Sequence, residues 1–240
     1  VLKEANCTEK GIISYVCACG SSYADAYVAA LGHEFRNGVC TRCGRRDAQS
    51  ELPCSGGDSC PGRVFADMPA KGNWAHDAID WAVWNNVTAG TAANAFSPNA
   101  GCTRAQVVTF LWRAAGMPEP SSGRNPFADV QKGAYYYKAV LWAVENKITA
   151  GTGTTTFSPD DTCTRAQIVT FLWRYEREPA PASARNPFAD VPAGAYYEKA
   201  VLWAAENDVT AGTSATTFSP NDTCTRAQVV TFLYRDVEKN

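Results

Sequence analysis

Cys163-Thr164-Arg165-Ala166-Gln167-Ile168-Val169-Thr170-Phe171-Leu172-Trp173 decides the fold, because the same run returns at Cys102–Trp112 and Cys224–Tyr234 at a fixed interval of 61 residues. Shorter runs keep the same order around each copy: Phe-Ala-Asp from Phe65, Phe127 and Phe188; a Trp at Trp81, Trp142 and Trp203; Thr-Ala-Gly ending at Gly90, Gly151 and Gly212; Phe-Ser-Pro from Phe96, Phe157 and Phe218. Between Ala134–Arg174 and Ala195–Arg235, 32 of 41 positions are identical. Fidelity of this kind marks a repeat architecture, in which each unit is too small to bury its apolar face alone and stacks on its neighbours.

Each quoted run reads as a helix start. Thr164 is the expected N-cap and Gln167, three residues on, completes a capping box; Thr103 with Gln106 and Thr225 with Gln228 repeat the device. Ile168–Trp173 is apolar on nearly every face, which a helix tolerates only when protein surrounds it, so three such helices are expected at the centre of one bundle. An earlier helix in the unit is amphipathic, with Tyr136, Val140, Ala143 and Val144 on one face and Lys138, Glu145 and Lys147 on others. Thr-Ala-Gly-Thr and Phe-Ser-Pro supply turn residues between the two, with room for short extended segments. Connectors rich in Pro, Ser and Ala, Gly116–Arg124 and Arg177–Arg185, mark the boundaries. The expected fold is therefore mainly α, with helix-loop-helix repeats at 62–120, 121–181 and 182–240 behind a Cys-rich segment at 1–61. Asp80 replaces Leu141 and Leu202 in the first repeat, as in a terminal unit whose outer face meets solvent or the Cys-rich segment.

Composition excludes several classes. A net charge of −2 with 22 scattered Lys and Arg gives no footprint for nucleic acid. No apolar run reaches the length of a membrane span, so no membrane insertion is expected. Val1–Asn6 lack a signal-peptide apolar region and an initiator Met, and the chain reads as a processed or excised piece of a longer precursor. His33 and His76 are the only histidines, and neither a Gly-x-Ser-x-Gly run nor a recurring pair of acids points to an enzyme.

Seven of the ten cysteines precede residue 61, in a Gly-rich segment that cannot build much core without a metal or disulfides. Cys17-Ala-Cys19 and Cys40-Thr-Arg-Cys43, with His33 between, resemble a small zinc-ribbon or knuckle. A structural zinc would draw its ligands from Cys17, Cys19, His33, Cys40 and Cys43: either the four cysteines, or Cys19, His33, Cys40 and Cys43 with Cys7 left to pair with Cys17. Disulfides compete with this reading in an exported protein. Cys54 and Cys60 bracket a Gly-rich loop that reads as a disulfide. Cys102, Cys163 and Cys224 precede the N-caps and read as the outer member of a hydrophobic staple with Val107, Ile168 and Val229; the rival is a metal held by three thiols.

Phe-Ala-Asp, the helix Trp, Thr-Ala-Gly-Thr, Phe-Ser-Pro and Thr-Arg-Ala-Gln, in this order and three times over, resemble the S-layer homology family of bacterial surface proteins across roughly residues 63–237. The resemblance implies a pseudo-threefold bundle, secreted and attached to the Gram-positive cell wall. It also implies non-covalent binding of secondary cell wall polysaccharide, often bearing pyruvate ketals. The family motif usually ends in Glu, whereas Gln106, Gln167 and Gln228 stand here. Either residue serves as a cap, but Gln removes a negative charge beside the anion site.

Candidate glycan contacts follow. Arg104, Arg165 and Arg226 occupy the first helical position, where backbone N–H groups and the helix dipole favour an anion, and each could pair a ketal carboxylate; the alternative is an ion pair with Asp67, Asp129 or Asp190. Gly90, Gly151 and Gly212 let a sugar approach the backbone, or serve a turn that needs positive φ. Trp74, Tyr135 and Tyr196 lie near the loops as sugar-stacking candidates, while Trp81, Trp142 and Trp203 read as core. Asp67, Asp129 and Asp190 accept sugar hydroxyls or cap the next turn. The competing functions are self-assembly in a surface array and a spacer for a catalytic domain elsewhere.

Overall fold

The computed structural model describes residues 60–183 and 185–239, together with 11–16, 22–28, 31, 34–36, 39–40 and 42. The chain divides into two units, 1–50 and 51–240. In the first, β1 (Gly11–Val16) pairs antiparallel with β2 (Ser22–Val28), and β3 (Phe35–Arg36) with β4 (Val39–Cys40). These are the short strands expected in the Cys-rich segment.

The second unit begins with a 3-10 turn at Pro61–Val64, followed by α1 (His76–Trp84), α2 (Arg104–Ala114), α3 (Tyr137–Glu145), α4 (Arg165–Tyr175), α5 (Glu198–Glu206) and α6 (Arg226–Lys239). The even-numbered helices start where the capping boxes predict. Thr164 Oγ1 accepts from Gln167 N at 3.3 Å while Gln167 Oε1 accepts from Thr164 N at 3.0 Å, and the other two repeats do the same. Two orphan donors are thereby satisfied at each start. Val107, Val108, Ile168, Val169, Val229 and Val230 are all buried, as an apolar run around the helix requires.

Pairing of helices follows the ring, not the repeat. α3 packs on α2 and α5 on α4, and α1 closes the circle against α6, where the Trp81 ring lies 5.7 Å from Tyr234. The cause lies in the connections. The connector into α3 is tied down: Glu145 accepts from Ser121 N, Ser121 Oγ and Ser122 N at 2.9, 3.1 and 2.6 Å. Glu206 holds Ala182 N and Ser183 N in the same way. The loop between the two helices of one repeat forms only isolated bridges instead of strands.

A closed ring of backbone hydrogen bonds marks the pseudo-threefold axis. Cys102 N donates to Cys224 O, Cys163 N to Cys102 O and Cys224 N to Cys163 O, at 3.0, 2.9 and 3.0 Å. Burial pushes the Cys163 and Cys224 thiols up to about 12 and Cys102 higher still, so all three stay protonated. Gly101 stands beside Thr162 and Thr223, equivalent positions of the other repeats; a Cβ there would lie 2.9 and 3.1 Å from their methyl groups.

Of the two surroundings expected at Asp80, solvent is excluded, and Cys60 of the Cys-rich segment lies within 4.8 Å. Asp80 is buried, not turned to solvent: Oδ1 accepts from Gly62 N at 2.7 Å and Oδ2 lies 3.2 Å from His76 Nε2. Desolvation raises its carboxyl, a cost accepted because the first repeat has no preceding connector for its α1 to hold, and Asp80 secures the incoming chain instead.

Candidate functional site

The Thr-Ala-Gly and Phe-Ser-Pro runs form one loop, and the preceding Phe-Ala-Asp ties it down. Asp129 Oδ1 accepts from Phe157 N at 2.9 Å and Oδ2 from Ser158 N at 2.7 Å; Asp67 and Asp190 make the same pair of bonds to Phe96 and Ser97, and to Phe218 and Ser219. Burial pushes Asp190 up, but the N–H donors outweigh it and hold the carboxyl below its ordinary value. Gly151, at φ 88°, donates its N–H to Thr149 Oγ1 at 3.1 Å. A Cβ on Gly151 would come within 2.5 Å of the Phe127 ring and Thr156 O, so both the positive φ and the lack of space exclude a side chain. Gly90 and Gly212 repeat this at φ 82° and 80°.

Each helix-start Arg reaches into the loop of the next repeat around the ring. Arg104 Nε donates to Phe157 O at 2.7 Å and Nη2 to Thr149 Oγ1 at 3.4 Å, with the guanidinium carbon 4.9 Å from the Phe157 ring centroid and 5.4 Å from that of Phe171. Arg165 repeats these bonds on Phe218 O and Thr210 Oγ1. Arg226 donates Nε to Phe96 O at 2.8 Å, but its buried Nη2 has no hydrogen-bond partner. The Arg–Asp ion pair considered above does not form: the carboxylates serve the loop, and the guanidinium groups lie on carbonyl oxygens and aromatic faces. Burial pulls all three Arg pKa values down, yet a guanidinium remains charged.

The helix-terminus part of the anion expectation is corrected. Arg104 N and Ala105 N donate to Asp161 O and Pro159 O of the next repeat, and Gln106 N to Thr103 Oγ1, so these first-turn N–H groups are already bonded within the protein. The cationic face toward a ligand is side chain, not backbone.

Arg104, Gly151 and Tyr196 meet in one cavity of about 420 Å³, which Thr149, Gln167, Thr170, Phe171 and Arg174 also line. One groove thus draws its Arg from the first repeat, its glycine loop from the second and its Tyr from the third. Arg226 lies close enough to Tyr135 to influence its phenol, which joins the third and second repeats around the loop of the first. Trp74, Tyr135 and Tyr196 are each about 60% exposed, at 58%, 59% and 62%, so large aromatic faces stand open to solvent at equivalent places. Trp81, Trp142 and Trp203 are buried in the core. Arg174 was missed as a groove residue, although its place nine residues after Arg165, matched by Arg113 after Arg104, was visible.

Of the proposed zinc ligands, Cys17, Cys19, His33 and Cys43 lie outside the described residues, as do Cys7 and Cys54. Cys40 is buried. Among the described residues, Cys60, His76 and Asp80 are the one group of potential ligand atoms within 4.8 Å of one another, so Cys102, Cys163 and Cys224 do not make a three-thiol cluster. Cys60 is disulfide-bonded, which takes its sulfur out of thiolate form, and His76 Nε2 faces Asp80. That trio does not fit a zinc ion as it stands.

A family model described as S-layer homology domain matches residues 64–108, 126–169 and 187–230, more than half of the chain. The chain belongs to the S-layer homology family. Domains of this family are non-catalytic cell-wall attachment modules. The surface-layer 125 kDa protein of Lysinibacillus sphaericus is 31% identical over 183 residues, 72% of this chain and 15% of that protein. The S-layer protein of Bacillus thuringiensis subsp. finitimus is 25% identical over 175 residues, 72% of this chain and 21% of that protein. An endoglucanase of Bacillus sp. (strain KSM-635) is 34% identical over 125 residues, 52% of this chain and 13% of the enzyme. The chain thus spans between 13% and 21% of these relatives' length. Among the described residues, no helix is long and apolar enough to cross a membrane.

Proposed function

We propose that this chain attaches a larger secreted protein to the cell wall by binding secondary cell wall polysaccharide, pyruvylated on some of its sugars, in the grooves between S-layer homology repeats. The supporting observation is the cavity that gathers Arg104, Gly151 and Tyr196 from three repeats. In it the guanidinium takes the ketal carboxylate, the glycine loop admits the sugar ring to the backbone, and the aromatic side chain covers a sugar face. The other two sets are Arg226, Gly90 and Tyr135, and Arg165, Gly212 and Trp74. Asp67, Asp129 and Asp190 act by shaping the loop. In the separate Cys-rich unit, Cys17, Cys19, His33, Cys40 and Cys43 are the candidate ligands of a structural zinc, with disulfides as the competing staple.

Cosedimentation with Gram-positive wall sacculi tests the reading, using sacculi before and after chemical extraction of their secondary polysaccharide. The chain is expected to pellet only with unextracted walls. Equal pelleting with stripped walls would overturn the proposal. Concentration-dependent self-association without wall binding would favour assembly in a surface array.

A further inference from the structure

The groove around Arg104 contains a second guanidinium and no carboxylate. Arg104 and Arg174 both line it, and none of its other lining residues carries a negative charge. Two like charges sharing a partly desolvated cavity are costly unless a ligand supplies the counter-charge. A Glu at position 167 would cap α4 as well as Gln does and would neutralise one of them, yet Gln167 stands there. Each guanidinium is held on one side and open on another. Arg104 uses Nε and Nη2 on Phe157 O and Thr149 Oγ1, and Nη1 makes no hydrogen bond among the described residues. Arg174 uses Nη1 on Ile148 O at 3.4 Å; its Nε lies 3.8 Å from Glu178 Oε1. That carboxylate lines the adjoining cavity, which shares Thr149, Ala150 and Arg174 with the groove, but it is more than half exposed, so solvent screens it.

The same residue types stand at the equivalent positions one repeat back. Arg113 Nη1 donates to Val87 O at 3.3 Å, and Tyr135 lies near enough to influence both Arg113 and Arg226. Arg226 Nη2 is buried and has no hydrogen-bond partner among the described residues. The third set differs: Arg235 is exposed, and Trp74 stands where the others have Tyr.

We propose that the Arg104 and Arg226 grooves each take a sugar unit carrying two negative charges, one oxyanion facing each guanidinium, whereas the Arg165 groove takes a singly charged one. The proposal rests on the glycan reading above. The charges belong to a ketal carboxylate and a second acidic group on the same sugar, and a sugar phosphate monoester serves as a dianionic probe of the pair. Gln167 and Gln106 are the residues that keep these two grooves free of a competing carboxylate.

Calorimetric titration of the whole chain tests this with two probes in mildly alkaline buffer: an N-acetylhexosamine 6-phosphate, a dianion there, and the 4,6-pyruvate ketal of the same sugar, a monoanion. The phosphate is expected to bind about tenfold more tightly, the scale of one added charge-assisted contact. Arg174→Gln and Gln167→Glu should each weaken the phosphate at that groove by about tenfold and the ketal by much less, with circular dichroism reporting the fold. Gln167→Glu keeps the capping box, so it separates loss of binding from loss of structure. Equal affinity for the two probes, or equal weakening of both by Arg174→Gln, would overturn the two-charge proposal. A ketal bound more tightly than the phosphate, its binding increased by Gln167→Glu, would point to a sugar with one charge only. Wall polysaccharide that binds while neither sugar does would overturn the two-charge proposal alone. Failure of the polysaccharide as well would remove the glycan reading beneath it.

Discussion

Gly151 carries two constraints at once, a φ of 88° and a Cβ position 2.5 Å from both Phe127 and Thr156 O. Gly151→Ala is therefore expected to destabilise the protein by about 1–3 kcal/mol, from backbone strain and overlap together. Gly153→Ala, two residues on in the same loop, would place its Cβ in ordinary contact 3.4 Å from Thr156 Oγ1 and should cost far less. Urea unfolding of the two variants checks this; equal losses would mean that the loop, not the glycine, sets the cost. The sequence made the glycine conspicuous and left a turn and a sugar's approach both open; the structure shows the positive φ of the turn and a tight fit against Phe127 and Thr156 O. It could not reveal where Arg104 goes. A period of one repeat is the same whether an Arg meets the Asp of its own unit or the carbonyl of the next, and only packing distinguishes them.

Helix α6 ends differently from α2 and α4. Asp236 stands where they have Ala114 and Tyr175, and it is buried beside Glu176 in a pocket that also includes Trp203. Desolvation first, and then the Glu176 charge, raises its pKa from an ordinary 3.8 to about 7. A carboxyl raised on folding stabilises the protein fully below its unfolded pKa, and that contribution is lost as pH climbs through the folded value. Stability of the wild type should thus fall between about pH 4 and 7 relative to Asp236→Asn, whose profile should be flatter there. Thermal unfolding of both across this range tests the prediction; parallel profiles would contradict it. At this scale the helix starts were legible, because Thr and Gln three residues apart have one local meaning. Helix partners were not, since α3 on α2 instead of α4 depends on connectors held by Glu145 and Glu206.

The three repeats share one core and one axis. Every link in the Cys102–Cys163–Cys224 ring of backbone bonds joins two repeats, and each helix-start Arg docks in its neighbour's loop. No repeat has a complete set of contacts alone, so unfolding should be one cooperative transition. Calorimetric and van't Hoff enthalpies for residues 51–240 should agree, whereas separate transitions for the repeats would contradict the closed ring. The same closure creates the grooves, because a site assembled from three repeats exists only when the circle is shut. The measurement that tests this account most directly is calorimetric titration of the chain with purified secondary wall polysaccharide before and after mild acid removes its pyruvate ketals. Binding that disappears with the ketals is the predicted result; equal binding to both preparations, or to neither, would contradict it.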